Sequence, residues 1–211
     1  MKLYDYFRSS AAYRVRIAMN LKELNAEREF VHLRKGEQRS DAYRAVNPQK
    51  LVPTLVDGDA VLSQSLAIIE YLDETKGGAK LMPADALGRA RVRQLAQLVA
   101  CDIHPINNLR VLGYLTGKLG LSEEARDEWY RHWVKEGFEA LEALLQDKAT
   151  GRFCHGDSPT LADICLVPQV FNGLRFKVDM SPYPTIARIN EACNALEAFA
   201  AAKPDRQPDA E

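Results

Sequence analysis

The sequence of 211 residues has almost no net charge, only four cysteines and four histidines, and no long apolar run. Lysine and arginine together number 28 and aspartate and glutamate 29, so the basic surface that nucleic acids require is not indicated. No run approaches the roughly 18 apolar residues of a membrane span. The opening MKLYDYF lacks the apolar stretch of a signal peptide. These absences favour a cytoplasmic protein with neither a nucleic-acid nor a membrane partner.

The cysteines form no C-x-x-C pair, and their spacing matches no zinc framework. They are Cys101, Cys154, Cys165 and Cys193. Cys101 and His104 are three residues apart and Cys154 adjoins His155, but two single spacings of this kind arise easily by chance. A metal site built from these four is the minor alternative. We expect reduced thiols, most of them buried as small apolar residues, and no metal.

The first 80 residues alternate element types. KLYDYF and REFVHL read as strands, and residues 10–22 between them show a helical apolar stripe. TLV, the turn signal Asp57-Gly58 and AVL read as a hairpin, followed by the helix SLAIIEYLDETK. The order β-α-β-(α)-β-β-α predicts a partly parallel sheet covered by helices.

After the linker-like GGAKLMPADALG, no convincing strand remains. Helical patterns extend over residues 89–115, where Pro105 should bend or interrupt the helix, and over 122–147. Thr160 and Asp163 have the spacing of a capping box. The last helix is predicted from about Pro184 to Ala202, with a frayed KPDRQPDAE tail. We therefore expect an α/β domain over 1–80 and an all-helical domain over 88–211.

The stretch FRSSAAY places Ser9 or Ser10 where a helix N-cap belongs. Taken alone, the pattern favours a simple cap. A helix N-terminus is also an anion site, and a serine hydroxyl beside it could donate to a thiolate. The helix terminus (about 0.3–2 kcal/mol) and a charge-assisted hydrogen bond (about 1.5–3 kcal/mol) could together lower a thiol pKa by about one to three units.

A second pair of signals lies in LVPTL and LSQS. Pro53 heading a strand fits an edge position or a cis bond. A cis proline would expose the backbone of Val52 to an extended peptide. Gln64 and Ser65 begin the next helix, a second N-terminus suited to a carboxylate. The simpler alternative is a structural turn followed by a helix cap.

These motifs carry a family resemblance. The β-α-β-α-β-β-α half with LVP and QS, joined to an all-helical half containing TLAD, resembles the glutathione transferase superfamily. SSAAYRVR is similar to the zeta-class signature, usually Ser-Ser-Cys-x-x-Arg-Val-Arg, and CDIHPINNLRVL and SPYP also resemble zeta-class bacterial isomerases. The resemblance covers essentially the whole chain. It implies a thioredoxin-like N-terminal domain that binds glutathione, an all-helical substrate domain, and a homodimer.

The resemblance implies glutathione-dependent conversion of maleylacetoacetate to its trans isomer, or of maleylpyruvate in close relatives. Ser9 would donate to the glutathione thiolate, with Ser10 nearby and Arg8 beside it. The other implied glutathione contacts are Gln49, Val52, Pro53, Gln64, Ser65, His104 and Asn108. The implied ligands of the dicarboxylate substrate are Arg8, Arg110 and Arg175. From their positions alone, Arg110 could instead lie on a solvated helix face and Arg175 could complement a helix dipole.

The sequence departs from the signature at Ala11, where the pattern usually has cysteine. A protein thiol at that position is therefore excluded as the nucleophile, which leaves the sulfur of glutathione. Two other functions compete with the isomerase. A transferase that conjugates or dehalogenates small electrophiles would share the serine but would not need several arginines. A non-catalytic interaction module would need neither the serine nor the QS pair.

Overall fold

The computed structural model describes all residues, Met1–Glu211, and divides into two compact units. The first unit combines Met1–Leu81 with Ala195–Glu211, and the second is Met82–Asn194. The elements of the first unit are β1 (Lys2–Asp5), α1 (Ser10–Leu21), β2 (Glu27–Phe30), α2 (Asp41–Val46), β3 (Thr54–Asp57), β4 (Ala60–Ser63), α3 (Ser65–Thr75) and, from the C-terminal stretch, α10 (Glu197–Ala200). Short 3-10 turns at Leu33–Lys35 and Glu37–Arg39 precede α2, and another follows α10 at Pro204–Arg206.

The four strands form one mixed sheet in the order β2-β1-β3-β4. β1 pairs in parallel with β2, whereas β1 with β3 and β3 with β4 are antiparallel. Gly58 takes the positive φ of +60° that the hairpin turn between β3 and β4 requires. The predicted element order and the partly parallel sheet are confirmed.

Helix α1 is buried along most of its length, which accounts for its small and branched side chains. Ala12, Val15 and Ala18 are fully buried. Two arginines are buried with them, and Arg16 donates Nη1 to Asp5 Oδ1 at 2.9 Å. Burying a guanidinium is costly, and pairing with a carboxylate offsets that cost for Arg16. The RVR motif therefore places charge inside this unit.

The C-terminal stretch differs from the prediction in two respects. The predicted helix from Pro184 to Ala202 is two helices, because α9 ends at Asn194 and α10 begins at Glu197. The tail is also not frayed: Ala195–Glu211 belongs to the compact unit formed by the first 81 residues. The helical half thus ends at Asn194 and not at residue 211. The reason is that side chains of the first unit satisfy the polar groups of this stretch, as described below.

The second unit is entirely helical apart from one isolated bridge between Thr150 and Gly156. Its helices are α4 (Ala86–Gln97), α5 (His104–Ile106), α6 (Leu109–Gly117), α7 (Glu123–Leu144), α8 (Leu161–Arg175) and α9 (Pro184–Asn194). A π-helical segment, Leu98–Ile103, joins α4 to α5, and the helix breaks at Asn107, close to the interruption predicted at Pro105.

Close packing inside this unit depends on one glycine. A Cβ atom at Gly137 in α7 would lie 2.3 Å from the side chain of Ile103, which belongs to the π-helical segment. The segment therefore packs against α7 at a distance that only glycine allows. None of the helices combines the length and the apolar character needed to cross a membrane.

Helix α8 starts at the predicted capping box. The Thr160 N–H donates to Asp163 Oδ2 at 2.8 Å, and the Cys154 N–H donates to Asp163 Oδ1 at 2.8 Å. Asp163 is fully buried, and its burial raises the pKa of the carboxyl, although these hydrogen bonds oppose the shift. The capping box predicted at Thr160 and Asp163 is confirmed.

Candidate functional site

Ser9 is the N-cap of α1. Its backbone is extended, at φ −70° and ψ 117°, and its Oγ accepts a hydrogen bond from the Ala12 N–H at 3.2 Å. The hydroxyl proton is not used in that bond, so the half-buried side chain can still donate. Ser10 is the first helical residue and only 6% exposed. The N-cap of α1 is therefore Ser9, and Ser10 is a buried residue of the first turn.

Arg8 lies beside this cap on the loop between β1 and α1. Its side chain is exposed, with the guanidinium carbon 5.3 Å from the centroid of the Phe7 ring. Ala11, which stands at the cysteine position of the zeta-class signature, is half-buried in the first turn of α1. An exposed cation and a hydroxyl donor thus border the positive end of the helix.

The loop before β3 contributes backbone groups. The Val52–Pro53 peptide bond is cis, one of the two arrangements expected for Pro53. Val52 is 6% exposed, and neither its N–H nor its carbonyl takes part in the backbone hydrogen bonds of the unit. The neighbouring Leu51 carbonyl, by contrast, accepts from Tyr43 Oη at 2.6 Å and from Asn47 Nδ2 at 2.9 Å. The two hydrogen bonds to Leu51 fix the loop, and the N–H and carbonyl of Val52 remain available to bind a ligand.

The start of α3 brings the predicted glutamine and serine together with partners. Gln64 takes φ +71°, and its Nε2 donates to Gln49 Oε1 at 3.0 Å. Ser65 opens the helix, is 6% exposed, and accepts from Arg14 Nη1 at 3.3 Å. Arg14 is 2% exposed. Arg14 was not included among the predicted site residues, although an arginine in the buried stripe of α1 is a signal for such an internal partner.

The sheet register brings these three segments to one end of the sheet. Tyr4 pairs with Thr54, and Thr54 pairs with Ser63. The chain therefore passes from this end of β1 toward Ser9, enters β3 from Val52 and Pro53, and leaves β4 toward Gln64. Five side chains also form one hydrophobic cluster there: Tyr6, Phe7, Val31, Tyr43 and Val52.

Four predicted residues lie in the helical unit. His104 is half-buried at the start of α5. Asn108 caps α6, with Oδ1 accepting from the N–H groups of Arg110 at 3.1 Å and Val111 at 3.2 Å. Arg110 is exposed in the first turn of α6. Arg175 is exposed at the end of α8, where its Nη1 donates to Asn172 Oδ1 at 3.3 Å.

Burial makes three of the four cysteine thiols poorly suited to nucleophilic chemistry. Burial raises the pKa of the Cys154 and Cys193 thiols, and the carboxylate of Asp163 raises both further. Cys165 is also buried, so that Cys101 is the exposed cysteine. No three histidine, cysteine, aspartate or glutamate side chains are grouped so that they could hold a metal ion.

The site in the first unit has the features of a cradle for an extended, anionic peptide. It offers two helix N-termini, a hydroxyl beside one of them, and an unused backbone N–H and carbonyl at Val52. Glutathione is such a peptide: it carries a thiol, a γ-glutamyl carboxylate and two amide bonds. The chemistry of these donors fits its thiolate at Ser9 and its carboxylate at Ser65.

Comparison with known proteins defines the class. Residues 8–75 match the family model of the glutathione S-transferase N-terminal domain, and residues 127–176 match that of the C-terminal domain. The chain belongs to the glutathione S-transferase family, and within it to the zeta class.

Individual relatives are similar over their full lengths. A probable maleylacetoacetate isomerase of Vibrio cholerae is 53% identical over 210 residues, 99% of this chain and 97% of the relative. A maleylpyruvate isomerase of a Ralstonia species is 52% identical over 99% of both chains. The holo structure of a bacterial zeta-class maleylpyruvate isomerase superposes with a TM-score of 0.98 at 52% identity, covering both chains fully. Maleylacetoacetate isomerase from Methylobacterium extorquens, crystallised with malonate and glutathione, superposes with a TM-score of 0.97 at 45% identity, again covering both chains fully.

Proposed function

We propose that this chain is a glutathione-dependent cis–trans isomerase that converts maleylacetoacetate to fumarylacetoacetate. The observation that carries the proposal is the cap of α1, where the Ser9 hydroxyl accepts from Ala12 and keeps its own proton for an anion. The absence of a cysteine at position 11 agrees with a mechanism in which the sulfur comes from glutathione. Relatives named for this reaction, at up to 53% identity across the chain, support the assignment.

The first unit would hold glutathione. Ser9 donates its hydroxyl proton to the sulfur, and the helix N-terminus adds a favourable partial charge. Val52 pairs through its N–H and carbonyl with the glutathione backbone, as an added strand does. Gln64 and Ser65 bind the γ-glutamyl carboxylate, and Gln49 fixes the amide of Gln64 through their 3.0 Å hydrogen bond. Bound glutathione would supply a thiolate that adds reversibly to the cis double bond of the substrate.

The substrate is a dianion, so the arginines supply its recognition. A guanidinium binds a carboxylate with two parallel hydrogen bonds, which fixes orientation as well as charge. Arg8, Arg110 and Arg175 all have exposed side chains that can turn toward a ligand. Arg8 lies next to Ser9 in the chain, so it is suited to stabilise negative charge that builds on the carbonyl oxygen. His104 and Asn108 remain proposed glutathione contacts.

Maleylpyruvate is the second candidate substrate. Relatives with either name have nearly the same identity to this chain, 53% for the Vibrio protein and 52% for the Ralstonia protein. Both substrates are cis-enedioic acids that differ only at the tail, and the same arginines would serve both. A conjugating transferase is the alternative with a different outcome, because it would consume glutathione.

The deciding experiment supplies each cis substrate with a catalytic amount of glutathione and follows trans product and free thiol together. Isomerisation gives many turnovers with constant thiol, and the substrate with the higher kcat/KM is the physiological candidate. Stoichiometric loss of thiol would instead identify a conjugating transferase. Absence of any glutathione-dependent change in either substrate would reject both enzymatic functions.

We also propose that the protein is a homodimer located in the cytoplasm. All four cysteines are unpaired, which is typical of proteins in a reducing compartment. Light scattering should give a mass twice that of the 23.7 kDa chain. A mass equal to the single chain at working concentration would contradict the dimer.

A further inference from the structure

The loop between β1 and α1, residues 6–9, is held by side chains that are distant in the sequence. The Phe7 N–H donates to Asp209 Oδ2 at 2.9 Å. The Phe7 carbonyl accepts from Arg16 Nη2 at 3.0 Å, and the Tyr6 carbonyl accepts from Arg16 Nη1 at 3.4 Å. The loop itself provides no backbone partner for Phe7. Its conformation therefore depends on Asp209 and Arg16.

The segment that carries Asp209, residues 195–211, is here called the C-terminal strap. Its Ala202 carbonyl accepts from Arg16 Nε at 3.0 Å, so one guanidinium binds both the loop and the strap. Gln207 accepts from Arg28 Nη2 at 3.2 Å and donates to the Lys203 carbonyl at 2.7 Å. Glu211 Oε1 lies 2.7 Å from His32 Nε2. The strap is thus anchored on both sides of Asp209.

The carboxylate of Asp209 is placed where its charge alone would not help a thiolate. Phe7 is 3% exposed, and the second carboxylate oxygen of Asp209 is buried without a hydrogen-bond partner. Burial is the main cause of the raised pKa of Tyr6. Positive charge on Arg8 lowers this pKa, and negative charge on Asp209 and Glu211 raises it, so all three charges act on the same hydroxyl. A carboxylate in this position opposes a nearby anion. Its contribution must then come from the hydrogen bond to Phe7.

We infer that Asp209 is a positioning residue for the thiolate-binding site: by accepting the Phe7 N–H it holds the loop in the conformation that presents Arg8 and Ser9. The inference rests on the proposed function for the role of those two residues. Ser9 is two residues from Phe7, and its N–H donates to the Tyr6 carbonyl at 2.9 Å. A shift of Phe7 is therefore transmitted to the helix cap. The C-terminal strap acts on the site although none of its side chains needs to touch glutathione.

Three variants test this inference in the full-length protein. Asp209→Ala removes the acceptor, and Asp209→Asn keeps an acceptor oxygen but removes the charge. Asp205→Ala is the matched control, because Asp205 is an exposed carboxylate in the same strap with no hydrogen-bond or ion-pair contact. Amide hydrogen exchange of the free protein reports on residues 6–12. The ultraviolet absorbance of the thiolate, titrated against pH with glutathione bound, reports on the site.

We expect Asp209→Ala to speed exchange of the loop amides by at least about tenfold, the factor for one lost charge-assisted hydrogen bond. The substitution should also raise the pKa of the thiol of bound glutathione, and it should lower kcat more than it raises KM. Asp209→Asn keeps an uncharged acceptor, so it should recover most of the exchange protection and return the thiol pKa to the wild-type value or below, and Asp205→Ala should match the wild type. If Asp209→Ala fails to fold, the same comparison is made with Asp209→Glu, which shifts the acceptor by one methylene.

Two results would overturn the inference. One is loop exchange in Asp209→Ala that equals that of Asp205→Ala. The other is faster exchange with an unchanged thiolate titration and unchanged kcat, since the loop would then be anchored without any effect on the site. Failure of the proposed function has a different signature, because the wild-type protein itself would show no thiolate signal and no turnover, whereas the exchange comparison would be unaffected.

Discussion

Replacing Ser9 tests the chemistry of the site most directly, because its hydroxyl has two separable tasks. It caps α1 by accepting from Ala12, and it is proposed to donate to the thiolate. Ser9→Gly removes the hydroxyl but lowers helix stability by only a few tenths of a kcal/mol, whereas Ser9→Ala also costs about 0.5–2 kcal/mol of stability. Comparing the two variants separates the cap from the donor.

The expected size of the effect follows from the lost hydrogen bond. A hydrogen bond to a charged group contributes about 1.5–3 kcal/mol, so its loss raises the thiol pKa by about 1 to 2 units. For a bound thiol with a pKa near 6.5, this rise lowers the thiolate fraction at about pH 7 by about 3- to 25-fold. Because an acid with a raised pKa ionises at higher pH, activity should recover as the pH rises above the new value.

The assay is the pH profile of kcat/KM for wild type, Ser9→Gly, Ser9→Ala and Ser9→Thr, together with thiolate absorbance and urea denaturation. Ser9→Gly and Ser9→Ala should share one shifted profile and differ in stability, and Ser9→Thr should restore the wild-type profile. An unshifted profile for Ser9→Gly would refute the donor role. Equal loss of activity at every pH would show that Ser9 acts through geometry and not through ionisation.

Three further predictions concern the scaffold. Asp5→Asn leaves Arg16 buried without its charged partner, so the free energy of unfolding from urea denaturation should fall by about 3–5 kcal/mol; a loss below 1 kcal/mol would contradict the pairing. A thiol reagent should label Cys101 alone in the folded protein, and all cysteines after denaturation. Gly137→Ala should be destabilised by about 1–3 kcal/mol through overpacking, whereas Gly113→Ala, in open space within α6, should gain up to about 1 kcal/mol of stability. If packing around Gly137 were not the cause, thermal unfolding would show the same change in stability for Gly137→Ala and Gly113→Ala.

The sequence by itself determined the local elements, and its family resemblance supplied most of the proposed binding residues. Period-2 and helical patterns, the Asp57-Gly58 turn and the capping box at Thr160 act over a few residues, so they can be recognised without a fold. The helix starts at Ser9 or Ser10 and at Ser65 were predicted on the same basis, and the structure assigns the first cap to Ser9. Ala11, at the cysteine position of the zeta-class signature, likewise excludes a protein thiol at that position without any coordinates.

Only the tertiary structure decided which distant groups meet. The KPDRQPDAE tail is polar and contains two prolines, a composition typical of frayed ends, yet its Asp209 accepts from the Phe7 N–H, and the carbonyl of Ala202 just before it accepts from Arg16. The contact of Arg14 with Ser65 likewise joins residues that are far apart in sequence. Buried polar groups must find partners wherever the fold supplies them, and that requirement leaves no periodic signal in the chain. Long-range polar pairing therefore set the boundary of the first unit and the anchoring of its site loop.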